Sequence, residues 1–431
     1  MATTRRAFLR GLGATAVTAG GLATRERRAD AQPRPGVPAD PLKIGAVAAA
    51  AGVTAPVGQA GLRGVQWWAE RVNAAGGILG RRVELVVEEE SSPTDTVERF
   101  RKLALQAKVE MITGGVSTSV GLALGPVAEE LQMLWLAWDS TTQKGVEETM
   151  PKPRYAFRSV DNEAEAIGGA VMTAKYFKDV RTVAGINNDY SYGRDCWEAY
   201  TTLLKRYNPN LRPVLDLWPK LGATDFTSHI AAIQRANPDL LMSSFWSGDT
   251  TIFMKQAAAV NLFAKMKACF TTGGGVHDSL KKSFTPEGLI LGYNSMYFDH
   301  PKASPLLKAF VRDYQAKFSE YPPYECDHAY FAVAVYTAAV EKAYAAAGKW
   351  PTREQVAAAL PNLPVESLSA TRSYREDHVM VGTFYQGITT HKNRYDFVTI
   401  DPVEELPTAR IQKPAGAKLY DWIAKLELWR P

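Results

Sequence analysis

Along residues 44–115 the apolar positions follow two rhythms in turn, predicting strand, helix, strand, helix and strand in that order. Leu62, Val65, Trp68, Ala69 and Val72 recur at helical spacing, so one face of that segment is built for burial. Asn73 with Gly76 and Gly77 predicts its end, because both residue types accept the left-handed conformation of a C-terminal cap. Residues 83–88 form a short β-rich run, 94–109 a second helical stretch, and 110–114 a third strand. A βαβαβ opening predicts a parallel sheet with helices on both faces.

The alternation then continues. A helix to about residue 131, with Pro126 as a candidate break, leads into an apolar strand over 133–138. After the extended run 155–160 it restarts, with strands over 182–187, 213–218, 240–245, 266–271 and 288–293 and helices between most of them. Two successive α/β sets predict two similar lobes. Helices over 306–318, 327–346 and 353–359 have no strands between them and are assigned to the first lobe. The chain then crosses near Phe157, Tyr297 and Val381, and three crossings make a hinge with a cleft for a small ligand. The expected division is 42–157 with 298–380, then 158–297 with 381–400, and a tail over 401–431 whose last part is an amphipathic appendage.

The N-terminus changes the charge picture. Arg5-Arg6 stands just before Phe8-Leu9, a weakly hydrophobic stretch covers 11–23, and Ala29-Asp-Ala31 supplies a small-x-small cleavage pattern. Residues 1–31 therefore read as a twin-arginine export signal, predicting a periplasmic location. They hold six Arg against Glu26 and Asp30, a net of +4 out of +5 for the chain. The mature part is then near neutral, which leaves a nucleic-acid partner without electrostatic support. At 431 residues, 46% hydrophobic and 22% charged, the chain suits two globular domains, preceded by a Pro-rich lead-in over 33–41. No run of about 18 apolar residues in the body predicts a spanning helix. Cys196, Cys269 and Cys326 are an odd, widely spaced set, expected as three buried thiols or one disulfide with one thiol left over.

Motifs for covalent chemistry are missing. There is no Gly-x-Ser-x-Gly, no His-Glu-x-x-His and no Gly-x4-Gly-Lys-Ser/Thr, and Gly273-Gly-Gly275 lacks the spacing of a dinucleotide site. The six His are scattered without metal-ligand spacing, with His328 alone near the expected cleft. No enzyme activity, cofactor or metal is expected.

Gly58-x5-Gly64, Asn73-Ala-Ala-Gly-Gly-Ile-x-Gly80, Phe157-Arg158, Asp189-x-x-Tyr192-Gly193, Thr224-Asp225-Phe226 and Asn237-Pro-Asp239 occur in order. Across residues 42–400 this set resembles the solute-binding proteins of branched-chain amino acid ABC transporters, a type I periplasmic binding fold; Arg375-x-Asp377-His378 resembles a closing signature in part of that family. The resemblance implies an α/β fold of two Rossmann-like lobes with parallel sheets, joined by a three-strand hinge, that close on a solute. It also implies an inner-membrane ABC permease as partner, with the binding protein expected as a monomer.

In the family, two turns hold the ligand carboxylate. Matched by motif they are Ser117, Thr118 and Ser119, then Ser140 and Thr141. Hydroxyls and backbone N–H groups at helix N-termini suit an anion. The second lobe contributes aromatics, matched here by Tyr192 and Trp246. This chain also departs from the amino acid pattern. The position of the carboxylate that pairs with a ligand ammonium falls in Thr272-Gly-Gly-Gly275, around Gly274. Trp138-Asp139 stands where small residues are usual, and Tyr324-Glu-Cys-Asp327 replaces an apolar stretch. Trp138, Tyr192 and Trp246 suit a flat or aromatic carboxylate, while Asp139, Glu325 or Asp327 offers a partner for an ammonium, amide or hydroxyl. The expectation is a small carboxylate-bearing solute, an amino acid or an aromatic or organic acid. A ligand-sensing domain for amides or amino acids is the alternative.

Overall fold

The computed structural model describes residues 34–160 and 162–431. The export signal expected over 1–31 lies outside the described residues.

The first lobe is built on β1 (Leu42–Ala49), α1 (Ala55–Ala74), β2 (Val83–Glu90), α2 (Pro93–Arg101), β3 (Met111–Gly114), α3 (Thr118–Glu130), β4 (Trp135–Ala137), α4 (Gln143–Thr149) and β5 (Ala156–Arg158). Its five strands are all parallel, in the order β2-β1-β3-β4-β5. β1 is buried at every position but Lys43, as a strand covered on both faces requires, whereas edge strand β2 is exposed at Glu84, Val87 and Glu89. Past α2 the helix goes on as a π-helical turn over Lys102–Ala107 and stops at Lys108, whose φ is 56°.

Three glycines let α1 seat closely. A Cβ on Gly58 would lie 2.3 Å from the Ala49 carbonyl oxygen, one on Gly61 2.7 Å from the Trp138 ring, and one on Gly64 2.6 Å from the Cys326 carbonyl oxygen. At the other end of α1 the expected role of Asn73 changes. It remains inside the helix and its side chain brackets Val83, donating to the carbonyl at 3.0 Å and accepting from the amide at 2.7 Å, while Gly76 and Gly77 take positive φ. Pro126 does not break α3, because the one intrahelical bond it removes is tolerated within a well-packed helix.

The second lobe follows with α5 (Asn162–Tyr176), β6 (Thr182–Ile186), α6 (Ser191–Tyr207), β7 (Arg212–Leu217), α7 (Thr227–Ala236), β8 (Leu240–Ser243), α8 (Ser247–Ala259), β9 (Lys267–Phe270) and β10 (Ile290–Gly292). The chain returns to the first lobe as α9 (Pro305–Phe318), α10 (Glu325–Ala347) and α11 (Arg353–Ala359); α9 packs on Trp67 of α1, and α10 lies along α1. A small antiparallel sheet follows, of β11 (Val365–Glu366), β12 (Thr371–Tyr374) and β13 (Met380–Val381). β14 (Thr383–Thr390) and β15 (Thr399–Pro407) complete the second sheet, in the order β15-β14-β10-β9-β8-β6-β7. That sheet is parallel from β10 to β7, but β14 and β15 join antiparallel, so it is mixed where parallel strands were expected.

The first and third passages between lobes lie side by side, with the Arg158 amide donating to the His378 carbonyl at 2.9 Å. After α12 (Thr408–Ile411) the last segment docks α13 (Leu419–Lys425) on α6. There Arg206 donates to the Ile423 carbonyl at 2.7 Å. The three cysteines are buried free thiols.

Candidate functional site

Ten residues face one gap between the lobes, five from each. The first lobe gives Val116 and Thr118 at the start of α3, Asp139 after β4, and Tyr324 and Glu325 at the start of α10. The second gives Glu165 from α5, Tyr190 and Tyr192 at the start of α6, Trp246 before α8 and Thr272 after β9. Most of these positions follow the C-terminal end of a parallel strand, where open α/β sheets place their ligands. The space amounts to about 320 Å³, its solvent mouth included.

The lobes are drawn together over it. On one rim Thr142 Oγ1 donates to Asp195 Oδ2 at 2.7 Å, and Lys144 Nζ lies 3.5 Å from both Asp195 and Glu198. On another, Ser247 Oγ donates to the Val53 carbonyl at 2.6 Å, and the Gly248 amide reaches the same oxygen at 3.4 Å. Within the gap Trp246 Nε1 donates to the Tyr190 hydroxyl at 3.1 Å. Tyr192 is positioned by the first turn of α6, where Gly193 after it lets the helix sit against the preceding loop: a Cβ there would lie 2.1 Å from the Asn188 carbonyl oxygen.

Both helix N-termini expected to receive a ligand carboxylate already serve internal carboxylates. Glu90 accepts from the amides of Val116 at 2.7 Å and Ser117 at 3.0 Å. Glu163 accepts from the amides of Gln143 at 2.6 Å and Lys144 at 2.9 Å, at the start of α4. Burial pushes the Glu90 carboxyl up to about 7, against the opposing pull of its two amide donors. Ser117 caps α3, its Oγ accepting from the Val120 amide at 3.4 Å and lying 3.2 Å from Ser119 Oγ.

The acids that line the gap are held differently. Glu325 is 1% exposed and its Oε2 has no hydrogen-bond partner; burial, with the charge of Asp139 nearby, pushes its carboxyl well above the usual range. Glu165 accepts from Asn294 Nδ2, and Asn294 Oδ1 accepts in turn from His328 Nε2 at 3.1 Å. Because that oxygen only accepts, His328 carries its proton on Nε2. Burial lowers its pKa to about 3, so the ring stays neutral. His328 thus positions the hinge amide that positions Glu165.

Of the residues the sequence pointed to, Thr118, Asp139, Tyr192, Trp246 and Glu325 line the gap together. Ser117, Ser119, Trp138, Ser140, Thr141 and Gly274 do not. Trp138 is fully buried with its ring against Gly61. Ser140 and Thr141 are buried in the left-handed conformation, with φ of 65° and 58°, and both pack towards Gly121. Gly274 backs onto the Gly292 carbonyl and the Tyr293 ring, and Gly275 is the glycine that meets Glu325, a Cβ there falling 2.4 Å from Oε1. Asp327 is committed elsewhere, 3.0 Å from Arg372 Nε in a fully buried ion pair and accepting from Ser367 Oγ at 2.6 Å. Val116, Glu165, Tyr190, Thr272 and Tyr324 are lining residues the sequence reading missed. Tyr190 and Tyr324 each adjoin a residue it named, and that adjacency was the available signal.

A family model described as periplasmic binding protein matches residues 41–388. The chain belongs to that family. Its curated relatives include the Leu/Ile/Val-binding protein homolog 4 of Brucella melitensis, 26% identical over 360 residues that span 79% of this chain and 82% of the relative. Among solved structures, it is similar to a solute-binding protein of an ABC transporter from Rhodopseudomonas palustris in complex with 3,4-dihydroxybenzoic acid. That pair has a TM-score of 0.73 and 21% identity, covering 85% of this chain and 96% of the other. The leucine-binding protein LivK of Thermotoga maritima gives a TM-score of 0.69 at 19% identity, with coverage of 84% and 98%. These neighbours share the fold of two α/β lobes. As a periplasmic binding protein the chain is a non-enzymatic binder, and the family implies a periplasmic or exported location. Among the described residues no helix is long and apolar enough to cross a membrane.

Proposed function

We propose that this periplasmic binding protein is the solute-binding component of an ABC importer, exported as a monomer by the twin-arginine signal at its N-terminus. It captures a small carboxylate-bearing solute between the lobes and presents the closed form to a permease of the inner membrane. The observation that carries this reading is the convergence of five residues from each lobe on one gap, with hydrogen bonds across it at two rims. A solute that touches both lobes only when they close shifts the open–closed equilibrium towards the form a permease engages. For its carboxylate, the Thr118 hydroxyl and the first-turn amides of α3 beyond those taken by Glu90 are the donors nearest the gap.

The test is a mass spectrum of the solute released from purified protein, followed by tryptophan-fluorescence titration with that solute. Trp246→Ala and Tyr192→Ala should each weaken binding at least about tenfold, as loss of a buried aromatic contact does. Unchanged affinity in both variants removes the gap as the binding site.

A further inference from the structure

We propose that Val53 is a key for lobe closure: its side chain enters a notch between Gly222 and Gly248 of the second lobe and sets solute affinity without touching the solute. The inference rests on the reading of the gap as a solute site and goes beyond it, assigning a contact that holds the closed form.

Val53 stands half-buried in the loop between β1 and α1, outside the set of residues that line the gap. A Cβ on Gly248 would lie 2.8 Å from Val53 Cγ2, and one on Gly222 would lie 3.4 Å from Val53 Cγ1. Non-bonded carbons settle at about 3.5–4.0 Å, so the notch accepts a valine because position 248 carries no side chain. The main chain of the same residue is gripped as well, since its carbonyl receives Ser247 Oγ and the Gly248 amide.

The notch has a buried support. Gly222, in the loop after β7, has a φ of 83°, a conformation that favours glycine, and its amide donates to Asp249 Oδ2 at 3.1 Å. Asp249 is fully buried and also accepts from Asn188 Nδ2 at 2.7 Å. One carboxylate thus joins the Gly222 loop, the start of α8 and the turn that leads to Tyr190 and Tyr192. Trp246 stands two residues before Gly248. The seat for Val53 and three aromatic residues of the gap therefore belong to one connected unit of the second lobe. A solute on those rings and Val53 in its notch favour the same lobe position, and a contact made only in the closed form raises the affinity of any solute that requires closure.

A double-variant cycle in the full chain tests this. The probe is the solute identified by mass spectrometry in the purified protein, or, where it carries none, leucine and 3,4-dihydroxybenzoate in turn at up to about 10 mM. Affinity is read by fluorescence titration. Closure is read as the distance between spin labels at Ala74→Cys and Ala259→Cys, exposed positions on α1 and α8; the native cysteines are buried. Gly248→Ala overfills the notch and should weaken binding at least about tenfold and deplete the closed distance. Its melting temperature without solute should hold or rise, because alanine is the better helix former. Val53→Ala loses the methyl contacts and should weaken binding about fivefold. The two together should show only that fivefold loss, because the nearest Val53 atoms left to the new Cβ, the carbonyl oxygen and Cα, lie 3.5 and 3.8 Å away. If Gly248→Ala does not fold, Val53→Phe overfills the notch from the other lobe and should give the same loss.

Binding and closed distance unchanged in Gly248→Ala, or losses that simply multiply in the double variant, overturn the inference; if Trp246→Ala still weakens binding, the gap remains a solute site. One fixed label distance with and without every probe means that the lobes do not close on a solute, and overturns both.

Discussion

Glu90 and Glu163 on one side, and Glu165 and Glu325 on the other, are glutamates of almost equal burial that do opposite work. Their exposures run only from 0 to 6%. The first pair directs both oxygens to backbone amides at helix starts, which ties β2 to α3 and the second lobe to α4. The second pair lines the gap. Glu163 and Glu165 even share one helix. Two residues apart, they point about 200° from each other around its axis, so one closes a helix end in the opposite lobe and the other faces the solute space. Burial therefore does not mark an acid as functional. What separates the two pairs is where the side chain is directed, to the start of a helix in one and to the gap between the lobes in the other.

The strongest test of that distinction uses a third arrangement, the fully buried pair of Asp327 and Arg372. Here a side chain answers the charge, and Arg372 also donates to the Ser295 carbonyl at 2.6 Å. Arg372→Ala leaves a carboxylate buried without its partner, expected to cost about 3–5 kcal/mol of stability. Chemical denaturation measures it. A double variant, Arg372→Met with Asp327→Asn, should recover a good part of that loss, since removing both charges removes the uncompensated one. A cost below about 1 kcal/mol for Arg372→Ala would move Asp327 out of the structural class and into that of the gap acids.

Glu90 gives the next largest effect, with a sign fixed by its environment. The folded chain holds this proton to about pH 7, against an ordinary value of 4.5. The unfolded chain releases it first as the pH rises. The stability associated with this proton is therefore greatest below pH 4.5, falls between 4.5 and about 7, and is flat above, by about 3 kcal/mol in all. Glu90→Gln removes the titration, so wild type should lose more stability than the variant between pH 4.5 and 8. Urea unfolding across that range makes the comparison, with Glu325 and the other titrating groups common to both proteins. Parallel curves would mean that the two amides hold Glu90 ionised throughout.

Those distinctions mark the limit of what was legible in the sequence. The two α/β sets were readable because helix and strand periods are local and strong, and the Gly58, Gly61 and Gly64 spacing needs no partner to be noticed. The antiparallel join of β14 was not readable, because it pairs with β10 roughly a hundred residues earlier and pairing direction leaves no trace in a period-two pattern. In the gap, Tyr192 and Trp246 follow strands, and the match to the family's motifs named them. Trp138 follows one as well, yet Gly61 opens space for its ring inside the first lobe. The reach of Glu90 to the start of α3, and of Glu163 to α4, depends on contacts across 20 or more residues that no spacing rule encodes.

The smallest expected effect separates charge that closes the lobes from charge that receives the solute. Lys144 approaches Asp195 and Glu198 from the opposite lobe at 3.5 Å, with its side chain 38% exposed. Glu198 is exposed and Asp195 is buried, so the contact is solvated from the Lys144 side; it contributes on the order of 1 kcal/mol and weakens with salt. Because the contact spans the lobes, it counts towards closure and not towards the folding of either lobe. Lys144→Ala should therefore leave the melting temperature of the solute-free protein nearly unchanged and weaken solute binding by no more than about fivefold, an effect that fades by 0.5 M NaCl. Ser247→Ala, which removes the neutral donor to the Val53 carbonyl on the other rim, should weaken binding by a factor that does not depend on salt. Titrating both variants at low and high salt with the solute released from the purified protein distinguishes them. If Lys144→Ala stays equally weak at both salt concentrations, Lys144 acts through packing against Tyr420, whose ring centroid lies 6.0 Å from its Nζ, and not as a charged latch.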